Sequence, residues 1–384
     1  MTPEVGGPTP ITIVAHRIAF DGGHERVMAK LAIALADRGH PVTVVARRCD
    51  IPEHPRVAWI RVPGPLRPVT IGYPWFFLAG SLATARRPKG LLHTTGALVL
   101  NRADVSTVHF CGLAFQREMG LARRSREGLA YRINEWISDL ITRWTERLIY
   151  RPSRTRHLAP VSRGLAGEIE RYFPAMRERV TVVPNGVDVA AFARDDDARA
   201  RVRAEVGLAP DALVALFVGG DWERKGLREV IEALAAAPGW RLLVVGPGDT
   251  ERFQALAAER GVGDRIHFAG RQGDTRPWYS AADVFVFPTA YEAFPLSPME
   301  AAAAGLPLLA TRVNGIEDIL VHGSNGWFIE RDAADLAARL RELAADPGQI
   351  ERMGAAARAG IVRWDWERMV DSYVDLYVRL CADA

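Results

Sequence analysis

Residues 11–47 read ITIVAHRIAFDGGHERVMAKLAIALADRGHPVTVVAR, a short apolar run, a helical pattern and a second apolar run. ITIVAHRI (11–18) is predicted as a strand, HERVMAKLAIALADRG (24–39) as a helix and HPVTVVAR (40–47) as the next strand. Two strands joined through a helix must be parallel, because the crossover returns the chain to the same end of the sheet. VAWIRV, GLLHTT, VSTVHF and HLAPVS continue as strands, a helical region covers about 113 to 150, and VTVVPNGVD (180–188) ends in a turn that reads as a linker. The pattern then restarts: ALVALFVGG (212–220), WRLLVVGPG (240–248), RIHFAG (265–270), DVFVFP (283–288) and LPLLATRV (306–313) are strands separated by helices. The chain is therefore expected to be α/β, with two doubly wound parallel-sheet domains, 1–185 and 186–363.

The chain has 384 residues, 48% hydrophobic and 25% charged, the balance of a globular protein with sizeable cores. Its net charge of +3 conceals a split: 27 Lys and Arg against 15 Asp and Glu in residues 1–185, and 22 against 31 in the rest. A basic first domain suits an anionic acceptor, a membrane surface or nucleic acid, or else reflects solvated arginines. Three cysteines without metal-ligand spacing argue against a disulfide framework or a zinc site, and a reducing cytoplasm is expected. The N-terminus lacks a signal-peptide pattern, and the longest apolar run, YPWFFLAGSLATA (73–85), is too short to span a bilayer.

In open parallel sheets the loops after the strands carry ligands. After the first strand come Gly22 and Gly23 at a helix start, where glycine permits either a tight turn or close approach of backbone N–H groups to a phosphate or sugar. A G-x-G-x-x-G fingerprint is missing there, and Gly246-Pro247-Gly248 lacks its third glycine, which disfavours a nicotinamide dehydrogenase. After the first strand of the second domain stand Arg224 and Lys225, two cations at a predicted helix start that either bind a diphosphate or are solvated. The acidic run Asp195, Asp196 and Asp197 reads as a solvated loop and not as a metal site.

YEAFPLSPMEAAAAGLP (291–307) offers two acids. Ser297, Pro298 and Glu300 read as an S-x-x-E capping box with proline at the first helical position, a structural account of Glu300. Pro295 and Pro298 keep Glu292 out of that helix, so Glu292 is expected in the entering loop as an exposed acid that adds little to stability.

These segments, with VPNGVD and GGHERVMAKLAIALADRGHPVTV, resemble the retaining glycosyltransferases of family 4 with the GT-B fold. The likeness is dense over 210–346, clear at 11–47 and 157–188, and weak over 48–156. It implies that the second domain binds a nucleotide-diphosphate sugar, that the first binds the acceptor, and that reaction occurs in the cleft between them without a metal. It implies an E-x7-E motif in Glu292 and Glu300, contacting donor sugar and ribose, with N–H groups of Phe294, Leu296 and Ser297 on the β-phosphate. It places Arg224 and Lys225 on the leaving diphosphate, and His109 at the donor sugar near the reacting carbon. Many relatives carry an arginine where this chain has Gly220, which shifts phosphate neutralisation toward Lys225. It implies that the C-terminal helix (364–384), whose apolar residues fall at helical spacing, returns to the first domain.

The acceptor expected is a glycan, a lipid-linked glycan or a small molecule. A nucleotide-sugar epimerase, a phosphorylase and a non-catalytic two-domain binding protein are the alternatives. Between 129 and 148, Leu129, Ile133, Trp136, Ile137, Leu140, Ile141, Trp144 and Leu148 form an apolar stripe flanked by Arg117, Arg123, Arg124, Arg126, Arg151, Arg154 and Arg156. It is either core or a surface for an anionic membrane, which would place the protein at the inner face of that membrane.

Overall fold

The computed structural model describes residues 8–65, 68–119 and 129–382. Its contacts divide the chain into two compact units, Met1–Asn185 with Trp366–Ala384, and Gly186–Asp365.

Unit 1 contains strands β1 (Ile11–Val14), β2 (Arg17–Ala19), β3 (Val42–Ala46), β4 (Arg48–Asp50), β5 (Val57–Arg61), β6 (Leu91–Thr95), β7 (Ala103–Val108) and β8 (Thr155–Pro160). Its helices are α1 (His24–Asp37), α2 (Val69–Ala85), α3 (Gly112–Met119), α4 (Leu129–Ile149) and α5 (Arg163–Tyr172). Unit 2 contains β9 (Leu213–Val218), β10 (Trp240–Val245), β11 (Ile266–Gly270), β12 (Val284–Phe287), β13 (Leu308–Thr311) and β14 (Gly326–Ile329). Its helices are α6 (Asp196–Glu205), α7 (Trp222–Lys225), α8 (Leu227–Ala235), α9 (Thr250–Glu259), α10 (Arg276–Ala281), α11 (Leu296–Ala303), α12 (Ile316–Ile319), α13 (Ala333–Ala345) and α14 (Pro347–Ile361). The last helix, α15 (Trp366–Ala382), belongs to unit 1.

Each unit has a six-stranded parallel sheet, β5-β3-β1-β6-β7-β8 and β11-β10-β9-β12-β13-β14. Both orders reverse direction beside the first strand, the Rossmann arrangement, with switch points at β1/β6 and β9/β12. Helices cover both faces of such a sheet, so its strands are largely apolar, as in the fully buried Val42–Ala46 and Val284–Phe287.

Two local expectations are corrected. The predicted strand 11–18 breaks after Val14; Arg17–Ala19 leaves the main sheet and pairs with Arg48–Asp50, held by Arg17 to Asp50 at 3.3 Å. Of the helical region expected over 113–150, the described residues form α3 and α4; residues 120–128, and so Arg123, Arg124 and Arg126, lie outside the described residues. Asp195 accepts from the Ala198 amide at 2.9 Å, so the acidic run caps and charges the start of α6 instead of lying in a loop.

In α15, Met369, Val370, Tyr373, Leu376 and Tyr377 are buried. The Tyr377 hydroxyl lies 2.6 Å from His93 Nδ1, His93 Nε2 lies 2.6 Å from the Thr107 hydroxyl, and that hydroxyl lies 2.6 Å from Tyr373. This closed polar chain, deep in an apolar layer, fixes the helix on β6 and β7 in one orientation.

Candidate active site

The loop after β9 and the loop after β12 meet beside the switch point of unit 2. Gly219 takes φ +139°, and a Cβ there would come within 2.9 Å of the Lys225 side chain, so glycine leaves room for the lysine stem. Asp221 adopts left-handed backbone angles, φ 50° and ψ 57°, alone among the described non-glycine residues. That conformation costs of order 1 kcal/mol or more and turns the chain sharply into α7. Gly226, at φ +84°, packs so closely on the end of β12 that a Cβ would meet the Pro288 carbonyl at 2.2 Å. The Ala290 amide then donates to the Arg224 carbonyl at 2.9 Å, tying the two loops together.

Arg224 and Lys225 therefore stand at the end of a one-turn helix, not at the start of a longer one; α8 begins afresh beyond Gly226. Both cations reach the same atom. Glu292 Oε1 lies 2.8 Å from Arg224 Nη1 and 2.8 Å from Lys225 Nζ, and the Thr289 hydroxyl donates to it at 3.3 Å. Arg224 Nε also holds Asp221 at 2.8 Å, and Lys225 Nζ sits 4.6 Å from the centre of the Phe287 ring. Glu292 is in the loop entering α11, as expected, but its side chain is only 12% exposed, which corrects its reading as an exposed acid. Burial pushes its carboxyl up, yet Lys225 and Arg224 together outweigh that and hold it below the ordinary carboxylate range.

The capping box does not form. Helix α11 starts at Leu296 with Pro295 as its cap residue and no side-chain cap, so Ser297 and Pro298 fall inside the first turn. Glu300 lies beyond them, 5% exposed, and accepts from the Tyr279 hydroxyl at 2.7 Å. The first-turn N–H groups of α11, including those of Leu296 and Ser297, have no intrahelical partners, and a proline in the cap position offers them no side-chain acceptor. Phe294 is buried, its ring 5.8 Å from Trp364, and Gly315 (φ +80°) is glycine because a Cβ would strike the Phe294 backbone at 2.6 Å.

In unit 1 the two glycines have different roles. Gly22 takes φ +152°, where a Cβ would meet Glu25 at 2.5 Å, whereas Gly23 has φ −81° and open space around it. The turn explains Gly22; clearance at the start of α1 is what Gly23 supplies. His109 directly follows β7, its Nε2 buried without a partner and its ring 5.7 Å from His24. Burial, with His24 and His93, holds it well below the ordinary histidine value, so it is neutral.

Residues 21–191 match the Glycosyltransferase Family 4 family and residues 198–360 match Glycosyl transferases group 1. Each half of the chain thus matches a glycosyltransferase family model. It is 36% identical over 229 residues to D-inositol 3-phosphate glycosyltransferase of Streptomyces bingchenggensis, covering 55% of this chain and 50% of that one. The chain spans about half the length of the curated relatives it matches. Among solved structures, WaaG, a glycosyltransferase involved in lipopolysaccharide biosynthesis, is 22% identical, covers 96% of this chain and 99% of its own, and superposes with a TM-score of 0.80. Anabaena HepE in complex with UDP and glucose is 17% identical, covers 96% and 98%, and has a TM-score of 0.73. These likenesses establish the GT-B fold over nearly the whole length.

Within the segment that matches Glycosyl transferases group 1 the structure brings Arg224, Lys225 and Glu292 into contact, and sets Phe294, Leu296, Ser297 and Glu300 along the next helix start. His109, Gly22 and Gly23 lie in the other unit. Sequence reasoning missed Asp221, Thr289 and Tyr279. Asp221 and Thr289 follow strand ends, the signal that could have found them; Tyr279 reaches Glu300 across 21 positions with no local trace.

Proposed function

We propose that the chain is a retaining glycosyltransferase, with unit 2 holding a nucleoside-diphosphate sugar and unit 1 the acceptor. The observation that supports this best is the convergence of Arg224 and Lys225 on one Glu292 oxygen at a switch point, beside the start of α11, whose first-turn N–H groups have no intrahelical partner. Two cations and those N–H groups suit a diphosphate, and Glu292 suits the hydroxyls of the sugar it carries. In this reading the bond from the anomeric carbon to the β-phosphate oxygen breaks as the acceptor oxygen attacks from the same face. The departing phosphate takes the acceptor's proton, and Lys225 and Arg224 stabilise the charge it gains. His109, neutral and with its Nε2 unpaired, contacts the sugar near the reacting carbon, and Glu300 contacts the ribose. The reaction needs no metal. Matches to both glycosyltransferase families, and a fold shared with a protein solved with UDP and glucose, agree with it.

The test is a thermal-shift screen of nucleotide sugars, followed by acceptor trials with the best donor. At least one nucleoside diphosphate should raise Tm, and sugar should leave it only when an acceptor is present. Conversion of the donor sugar without acceptor would establish an epimerase; stabilisation without any turnover would favour a binding protein.

For the acceptor, a lipid-linked molecule at an anionic membrane surface is favoured by the outer faces of α2 and α4. Ile71, Trp75, Leu78 and Leu82 form an exposed stripe on α2, which carries no charged residue, and Trp136, Leu140 and Trp144 form another on α4. The helices pack together through Phe77 and Trp144, with ring centres 6.5 Å apart. Within the predicted stripe Trp136, Leu140 and Trp144 are exposed and Ile137, Ile141 and Leu148 are half-buried, while the buried Thr145 and Ile149 lie outside it. Exposed Arg86, Lys89 and Arg147 adjoin it. No described helix is long and apolar enough to cross a membrane, so contact would be interfacial, which tryptophan and leucine favour. Co-sedimentation with anionic vesicles should fall with salt and vanish for Trp75→Ser/Leu78→Ser/Leu82→Ser. A protein that stays in the supernatant at low salt would return the acceptor to the soluble phase.

A further inference from the structure

Buried polar atoms are nearly always hydrogen-bonded, and those that are not point to a missing partner. In unit 1 several stand just past the carboxyl ends of adjacent strands. Both ring nitrogens of His16, after β1, and Nε of Arg47, after β3, are buried without a partner. The strands run in register to Val14 and Val45, and the Arg47 amide donates to the His16 carbonyl at 3.1 Å, so the two side chains leave the sheet at the same height.

Arg47 is 6% exposed. Its guanidinium donates to the Gly72 carbonyl and lies 5.1 Å from the Phe76 ring, and no carboxylate among the described residues pairs with it. Arg203, 2% exposed in unit 2, illustrates how such a residue is normally satisfied. It meets Asp283 at 2.8 Å and the carbonyls of Ala281, Ala209, Pro210 and Ala212. Arginine stays protonated, so one this deep without an anion carries a desolvation cost that a bound anion would relieve. His16 packs between Tyr73 and Phe76, with ring centres at 4.9 and 4.4 Å. Burial, then Arg47 and His24, lower its pKa to about 3, so it offers one donor and one acceptor nitrogen at neutral pH.

We propose that Arg47 and His16 form a subsite for an anionic group, a phosphate or carboxylate, on the molecule that unit 1 binds. Arg47 takes the charge through its fork of donors, and His16 takes a neighbouring hydroxyl. Only the description of this molecule as an acceptor rests on the glycosyltransferase reading; the anion site can be tested without turnover.

The full chain, wild type and Lys225→Ala, is heated in phosphate and in chloride of equal ionic strength, the lysine variant removing one of the two cations of unit 2. Phosphate should raise Tm by about 2 °C or more in both proteins. Arg47→Met, added to either, should remove that rise while holding or raising Tm in chloride, since it deletes an uncompensated buried charge at similar volume. If Arg47 instead only anchors α2 through Gly72, Arg47→Met will lower Tm in chloride and leave the phosphate effect intact, which overturns the proposal. Two further probes separate the sources of the anion. Glycerol 3-phosphate stabilising wild type but not Arg47→Met assigns a soluble phosphate ester; phosphatidic acid vesicles doing so alone assign a lipid headgroup. If no probe distinguishes Arg47→Met from its parent, there is no anion site.

Discussion

Glu292→Ala should lower turnover at least about a hundredfold, while nucleoside-diphosphate affinity holds or rises. Oε1 of this residue engages both Arg224 and Lys225, so its removal frees two cations for the diphosphate and deletes the contact proposed for the sugar. The fold should survive at a cost of about 1–3 kcal/mol, because Arg224 keeps Asp221 and the Tyr291 carbonyl, and Lys225 keeps the Phe287 ring. The cost has a pH signature. The carboxyl lies below its unfolded value of 4.5, so its stabilisation is complete above that pH and is lost as pH falls through the lower, folded value. The Tm gap between wild type and Glu292→Gln should therefore narrow as pH drops below about 4.5. Normal turnover by a folded Glu292→Ala protein would remove this residue from the site.

Lys225→Ala should also reduce kcat about a hundredfold, with a smaller loss in donor affinity, if its charge acts on a phosphate that gains charge as the glycosidic bond breaks. Glu292 would then keep Arg224 as its partner, so far-UV CD and Tm should change less than the rate. Lys225→Arg should not restore the rate fully: the stem passes Gly219 with no space to spare, and a planar guanidinium cannot reproduce a compact ammonium there. Unchanged affinity together with unchanged kcat would show that Lys225 serves only to neutralise Glu292.

The sequence by itself determined the two parallel-sheet domains, because a strand buried on both faces must be largely apolar along its length and the helices between strands carry their own period. It also marked the loops after β9 and β12, since glycines, prolines and adjacent charges there follow from local backbone geometry. Where its reading failed, distant residues decided the outcome. The S-x-x-E pattern in 297–300 satisfied the local rule for a cap, yet α11 begins at Leu296 and Glu300 is turned to Tyr279. Glu292 looked exposed until the loop after β9 brought two cations onto it. The stripe at 136–144 had the period of a core face, but only the packing of α4 on α2 settled which side of the helix met the protein. Arg47 and His16 gave no signal at all, being ordinary residues after ordinary strands. Their significance is an absence of partners, and partners are a property of three-dimensional neighbourhoods: periodicity records which side of an element is buried, but the side chain that arrives from elsewhere to satisfy or neutralise a given atom is fixed only when the chain has folded.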